Sequence, residues 1–217
     1  MKTKLIWIFL LSFYCISSFA NNTIIFGEKK IILPDYEGYH FVGDKESKQF
    51  KVFSELFSSA NKEQIQAFYV IAKEKEQVAS GLPQIIIYAT YQNKPESLTQ
   101  AAWDSAKNAL IEDYKSKPDN VVEKKDGKVK TVIKNDVVAE PSYVLVVRTI
   151  EHANINDQKP EGVITDLTNH IYVNGEIIIV VMTIIGKTAI NETQLKNVEA
   201  IAKAKALQLI ELNSSKK

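Results

Sequence analysis

The chain has 217 residues, with 27 basic and 26 acidic side chains and a formal charge of +1. So even a balance lacks the clustered basic face that nucleic-acid binding needs, so no nucleic-acid partner is expected. With Cys15 as the only cysteine, no internal disulfide and no multi-cysteine metal site can form.

The chain opens as a secretory signal peptide does. Lys2 and Lys4 give a positive start, Leu5 to Phe13 is apolar apart from Ser12, and Ser18-Phe19-Ala20 places small residues where a signal peptidase reads them. A cut after Ala20 is predicted, giving a signal peptide over 1–20 and a single domain over 21–217. The apolar run is shorter than the roughly 20 residues that span a bilayer. Cys15 follows Ser12-Phe13-Tyr14, a poor fit to a lipidation site. The mature protein is thus expected in the periplasm or outside the cell, with no transmembrane segment. Losing Lys2 and Lys4 leaves 25 basic against 26 acidic groups, and no cysteine.

Thr23–Phe26 and Lys30–Leu33, separated by Gly27 and ended by Pro34, read as a strand pair or as one irregular strand. Gln49 to Phe57 is β-prone through Phe50, Val52, Phe53 and Leu56, and Gln64–Ile71 and Gln84–Tyr91 are further strands. Charged Lys73–Glu76 and the break Ser80-Gly81-Leu82-Pro83 separate the last two. The aromatic residues Tyr36, Tyr39, Phe41, Phe50, Phe53 and Phe57 are read as core packing rather than a docking patch.

A helix is predicted from Ser97 to about Lys117, with Ser97 and Gln100 forming a capping box. Its apolar face is assigned to Leu98, Ala102, Ala106 and Ala109, beside Trp103, Leu110 and Tyr114; Pro118 ends it. Asp126-Gly127 reads as a hairpin turn, followed by strands over Lys128–Val138 and Ser142–Glu151 and a loop over His152–Glu161.

Gly162–Val173 and Glu176–Ile185 then flank Asn174-Gly175, the signature of a type I′ turn. That turn fixes the register. Val173, Ile171, Ile178, Val180, Leu167 and Met182 share one face; Tyr172, Ile177, His170, Ile179, Thr168, Val181, Asp166 and Thr183 share the other. Glu176–Ile185 is apolar on both sides, as in a strand covered on both faces. A final helix is bracketed at its start by Asn191 and Gln194 and buries Leu195, Val198, Ala202 and Leu209. The expected fold is α+β, an antiparallel sheet with helices on both faces.

That element order, from Ile31-Ile32-Leu33-Pro34 through Pro95-Glu96-Ser97-Leu98 to the long hairpin and last helix, resembles the PsbP/Mog-type fold. Exported bacterial members include DcrB-like proteins. The resemblance covers most of Lys30–Leu212 and is one of topology. It implies a protein that binds or assembles rather than catalyses, but a shared fold does not transfer function.

No Gly-x-Ser-x-Gly elbow, helical His-x-x-x-His pair or Gly-rich phosphate loop is present, and no cofactor is expected. Arg148 is the only arginine beside 26 lysines, so bidentate guanidinium recognition is available at one position. Of the histidines, His170 stands out because it shares a face with Asp166, Thr168 and Tyr172; that stripe is the candidate ligand-binding set. Glu151-His152, with Asp157 nearby, could clip a cation, although a solvated loop explains those residues. The function expected is an exported envelope factor that binds a protein or small ligand. The alternative is a periplasmic hydrolase or metal-dependent enzyme using Asp166 and His170.

Overall fold

The computed structural model describes residues 22–26, 29–56, 64–71, 84–89, 97–116, 120–123, 130–153, 160–186 and 190–214. The Lys73–Glu76 run, the Ser80–Pro83 break, the expected Asp126-Gly127 turn and the expected signal segment fall outside those residues.

Eight strands form one antiparallel sheet in the order β3-β4-β5-β10-β9-β8-β7-β6. They are β3 (Tyr39–Val42), β4 (Ile65–Ile71), β5 (Gln84–Ala89), β6 (Asn120–Glu123), β7 (Lys130–Glu140), β8 (Tyr143–Ala153), β9 (Pro160–Val173) and β10 (Glu176–Gly186). Of the two readings of the N-terminal segment the strand pair is the one formed: β1 (Thr23–Phe26) with β2 (Lys29–Ile32), a separate two-stranded sheet. Three helices complete the described residues: α1 (Lys48–Leu56), α2 (Gln100–Ser116) and α3 (Glu192–Asn213). The α+β fold with helices on both faces of an antiparallel sheet is therefore what the chain adopts.

The hairpin register is the one dictated by the Asn-Gly turn. Asn174 and Gly175 both take positive φ, 51° and 82°, and Ile178 faces Ile171, Ile179 faces His170 and Met182 faces Leu167. Along β9 the burial alternates strictly from Val163 to Val173, the period-2 signature of one dry face. On that face Leu145, Val147, Leu167, Ile171, Ile178, Val180 and Met182 pack beneath Ala202, Ala206 and Leu209 of α3. Ile24, Ile31 and Leu33 of the N-terminal hairpin, with Tyr36 and Tyr69, extend the same layer. Two alanines on the α3 stripe let the helix backbone lie close to the strands. The helix starts on the predicted capping box: Gln194 N–H donates to Asn191 Oδ1 at 2.9 Å and Asn191 N–H to Gln194 Oε1 at 3.2 Å.

On the opposite face, α2 lies over β7 and β8 and α1 over β4. Three local expectations change here. Gln49–Phe57 is not a strand but helix α1, up to Leu56. Ser47 Oγ caps it by accepting from Phe50 N–H at 3.1 Å, and Phe50 and Phe53, three residues apart, both meet Phe68. The cap of α2 is Thr99 rather than Ser97: Ala102 N–H donates to Thr99 Oγ1 at 3.2 Å. Ser97 instead accepts from Lys29 Nζ, and Gln100 donates to Asp104. The sheet-facing side of α2 is Trp103, Leu110, Ile111 and Tyr114, while Ala102, Ala106 and Ala109 are exposed. The wide indole sets the helix height above the sheet, and its Nε1–H donates to the Pro141 carbonyl at 2.9 Å.

The aromatic residues that the structure describes are packing groups. Tyr36, Tyr39, Phe41 and Tyr69 make edge-on and tilted contacts on the α3 side, and Tyr69 donates to the Pro34 carbonyl at 2.6 Å. Phe57 lies outside the described residues.

Candidate functional site

The face of β8, β9 and β10 turned away from α3 is a grid of cross-strand rows. Val144, His170 and Ile179 form one row; Val146, Thr168 and Val181 the next. Arg148, Asp166 and Thr183 form the third, and Ile150, Ile164 and Ile185 the fourth. Successive rows lie about 7 Å apart along the strands. Helix α2 covers one end of this grid, packing on Val137, Val144, Val146, Tyr172 and Ile177. Those contacts stop short of the third and fourth rows. Arg148 is exposed, and Ile185 is 69% exposed, an uncommon state for a strand isoleucine beside two half-buried ones.

The third row holds the charge. Thr183 Oγ1 donates to Asp166 Oδ1 at 2.7 Å, which fixes the carboxylate on the sheet surface. Burial pushes the Asp166 pKa up; the Thr183 hydrogen bond and the Arg148 charge pull the other way. Arg148 stands directly opposite Asp166 on the neighbouring strand, yet among the described residues no hydrogen bond or ion pair engages its guanidinium. One carboxylate oxygen and a full set of guanidinium donors therefore remain available side by side.

The predicted stripe Asp166, Thr168, His170 and Tyr172 does share this face, but its members have different employments. Tyr172 belongs to the packing under α2: its ring stacks on Trp103 at 5.7 Å and 10°, and its hydroxyl donates to the Leu98 carbonyl at 2.7 Å. Thr168 is half-buried between Val146 and Val181. His170 sits between Val144 and Ile179, and its Nε2 is buried without a hydrogen-bond partner. Burial lowers its pKa to about 4, so the imidazole is neutral at neutral pH. Asp166 and His170 are four residues apart on one strand, about 13 Å between Cα atoms. No hydrogen bond joins them, so the pair does not form an acid–base dyad.

Among the described residues no group of three His, Cys, Asp or Glu side chains could hold a metal ion. His152 extends β8 rather than opening the expected loop, and Asp157 lies outside the described residues. No described helix is long and apolar enough to cross a membrane.

Arg148 is the member of the site that the β9 stripe could not supply, because it sits on another strand. Its scarcity marked it in the sequence; its position opposite Asp166 follows only from the β8–β9 register. No family model matches the chain, and no curated protein matches it either.

Proposed function

We propose that this protein is an exported binding factor of the bacterial envelope or exterior that holds a partner on the open half of the β8–β9–β10 face. The observation that carries this reading is the row Arg148–Asp166–Thr183 beside the isoleucine row. An exposed guanidinium beside a half-buried carboxylate adjoins an aliphatic row with Ile185 exposed, on a part of the sheet that no described helix covers. Sheet faces in monomeric domains normally bury such isoleucines, and exposed apolar ground rimmed by polar groups marks interaction sites.

Export rests on the residues Lys2 to Ala20, and the thiol-free mature chain suits an oxidising compartment. The order of strands and helices is in keeping with the PsbP/Mog-type resemblance, which we retain as part of the proposal.

The test has two arms. Cell fractionation and N-terminal sequencing should find the protein in the periplasm or medium, beginning at Asn21; a cytoplasmic chain beginning at Met1 would refute export. Envelope proteins captured on the immobilised protein should be lost when Ile185 is replaced by Asp, while Ile25→Asp, on the N-terminal hairpin, should retain them. Equal capture by both variants would move the binding surface elsewhere.

A second reading, an enzyme in which Asp166 and His170 act separately rather than as a dyad, has in its favour the unpartnered Nε2 of His170. It predicts a hydrolytic or metal-dependent activity that His170→Ala abolishes without unfolding the protein.

A further inference from the structure

The chemistry of the third and fourth rows narrows what such a surface would take. Arg148 and Asp166 face one another across adjacent strands, with a carboxylate already fixed by Thr183 and a guanidinium that no hydrogen bond or ion pair holds among the described residues. A net anion brought to Arg148 meets the charge of Asp166, and a net cation brought to Asp166 meets that of Arg148. The group that suits both at once is neutral and carries a donor and an acceptor together, which describes an amide. Its N–H satisfies the free oxygen of Asp166 and its carbonyl accepts from Arg148.

One row further, Ile150, Ile164 and Ile185 offer an aliphatic floor at about the spacing of alternate residues along an extended chain. Among the described residues the rows lie on an open sheet face, whereas small ligands are held in concave sites that bury most of their surface. A polypeptide gains area by lying along a surface and so is the ligand class that fits.

We propose that Arg148 and Asp166 clamp a main-chain amide of an extended, aliphatic segment of a partner protein, whose side chain rests on the isoleucine row. This rests on the reading of this face as the binding surface and adds the identity of what is bound.

The test uses random heptapeptides displayed on phage and selected on the purified protein, followed by titration of the selected sequences as acetylated, amidated peptides. Sequences rich in Val, Ile and Leu should be enriched. Their affinity should fall tenfold or more in Arg148→Gln and in Ile185→Asp, and stay unchanged in Ile25→Asp; circular dichroism confirms that each variant is folded.

Loss with Ile185→Asp but not with Arg148→Gln overturns the amide clamp and leaves the face as the binding surface. No enrichment, or binding indifferent to Ile185→Asp, overturns both. Displacement of the peptides by free leucine overturns the polypeptide assignment in favour of a small zwitterion. A concentration-dependent dimer of the wild-type protein that Arg148→Gln abolishes overturns it in favour of a second copy of this chain, with Arg148 of each copy meeting Asp166 of the other.

Discussion

Asn213, the last residue of α3, and Ile32, the last of β2, exchange two hydrogen bonds: Ile32 N–H donates to Asn213 Oδ1 at 2.8 Å, and Asn213 Nδ2 donates to the Ile32 carbonyl at 2.7 Å. A side-chain amide stands where a further strand's peptide group would, so the free edge of β2 ends in a paired residue rather than an open one. The same amide nitrogen also donates to the Leu209 carbonyl at 2.8 Å, and the Asn213 carbonyl accepts from Asn174 Nδ2 at 2.9 Å.

Replacing Asn213 by Ala should therefore cost about 2–4 kcal/mol, because two half-buried backbone groups lose their partners together. Asn213→Asp keeps the acceptor but puts a carboxylate against the Ile32 carbonyl, and should be no better at neutral pH. Urea denaturation of the three proteins measures this. A loss below about 0.5 kcal/mol for the alanine variant would mean that water replaces the amide.

Gly175 is required twice over. Its φ of 82° disfavours an L side chain, and an added Cβ would lie 2.7 Å from Ser97 Cβ and 3.3 Å from the Leu98 carbonyl oxygen. Gly175→Ala should cost about 2–4 kcal/mol, the sum of a left-handed backbone and a displaced 97–98 segment. The Leu98 N–H that now donates to the Gly175 carbonyl at 2.8 Å should exchange faster with solvent. Slow exchange at Leu98 in a folded alanine variant would contradict this.

Lys29 and Glu176 form a 2.6 Å ion pair with side chains 34% and 24% exposed. Partly solvated pairs of this kind contribute little, so a Lys29→Met, Glu176→Gln double-mutant cycle should give a coupling of about 1 kcal/mol or less, shrinking as salt rises. Single removal of Lys29 should cost more than the coupling, because Nζ also donates to Ser97 and, at 3.0 Å, to the Asn174 carbonyl. A coupling that ignores salt would place the pair in a drier setting than this one.

His170 should make stability pH-dependent. Its pKa is lowered from 6.5 to about 4 in the folded chain, so below pH 6.5 the unfolded chain binds a proton that the folded chain does not. The stabilisation is fully present above pH 6.5 and is lost as the pH falls toward 4, by at most about 3 kcal/mol. His170→Leu should remove that slope and be neutral or stabilising at pH 7, since the orphaned ring nitrogen disappears from between Val144 and Ile179. Thermal melts of both proteins from pH 7.5 to 4.5 decide the matter; parallel curves would show that His170 is solvated.

What could be read from the sequence was whatever neighbouring residues decide. The Asn174-Gly175 turn set eleven successive β9–β10 pairings, and Asn191 with Gln194 marked the start of α3, because both signals act within a few residues. Failures came where a distant partner outbid a local preference. Phe50 and Phe53 favour strands by propensity, but Phe68 on β4 rewards them at helical spacing. Ser97 has the chemistry of a helix cap, yet Lys29, 68 residues away, takes its hydroxyl. The facing of Arg148 and Asp166 was hidden for a similar reason: the β8–β9 register includes an irregularity at His152/Ala153 that no turn motif announces.

The two ends of the described domain also converge. Thr23 pairs with Ile32, and Asn213 bonds to Ile32, so residues separated by 190 positions flank a single one. Both flanks belong to the layer beneath which Leu167 and Met182 are buried, on the far side of the sheet from Arg148 and Ile185. A tether at either end, whether a fusion partner, a resin or a surface, therefore pulls from the back of the molecule. The row of Arg148 and Asp166 would face outward from whatever the protein is fixed to, free to meet an incoming chain.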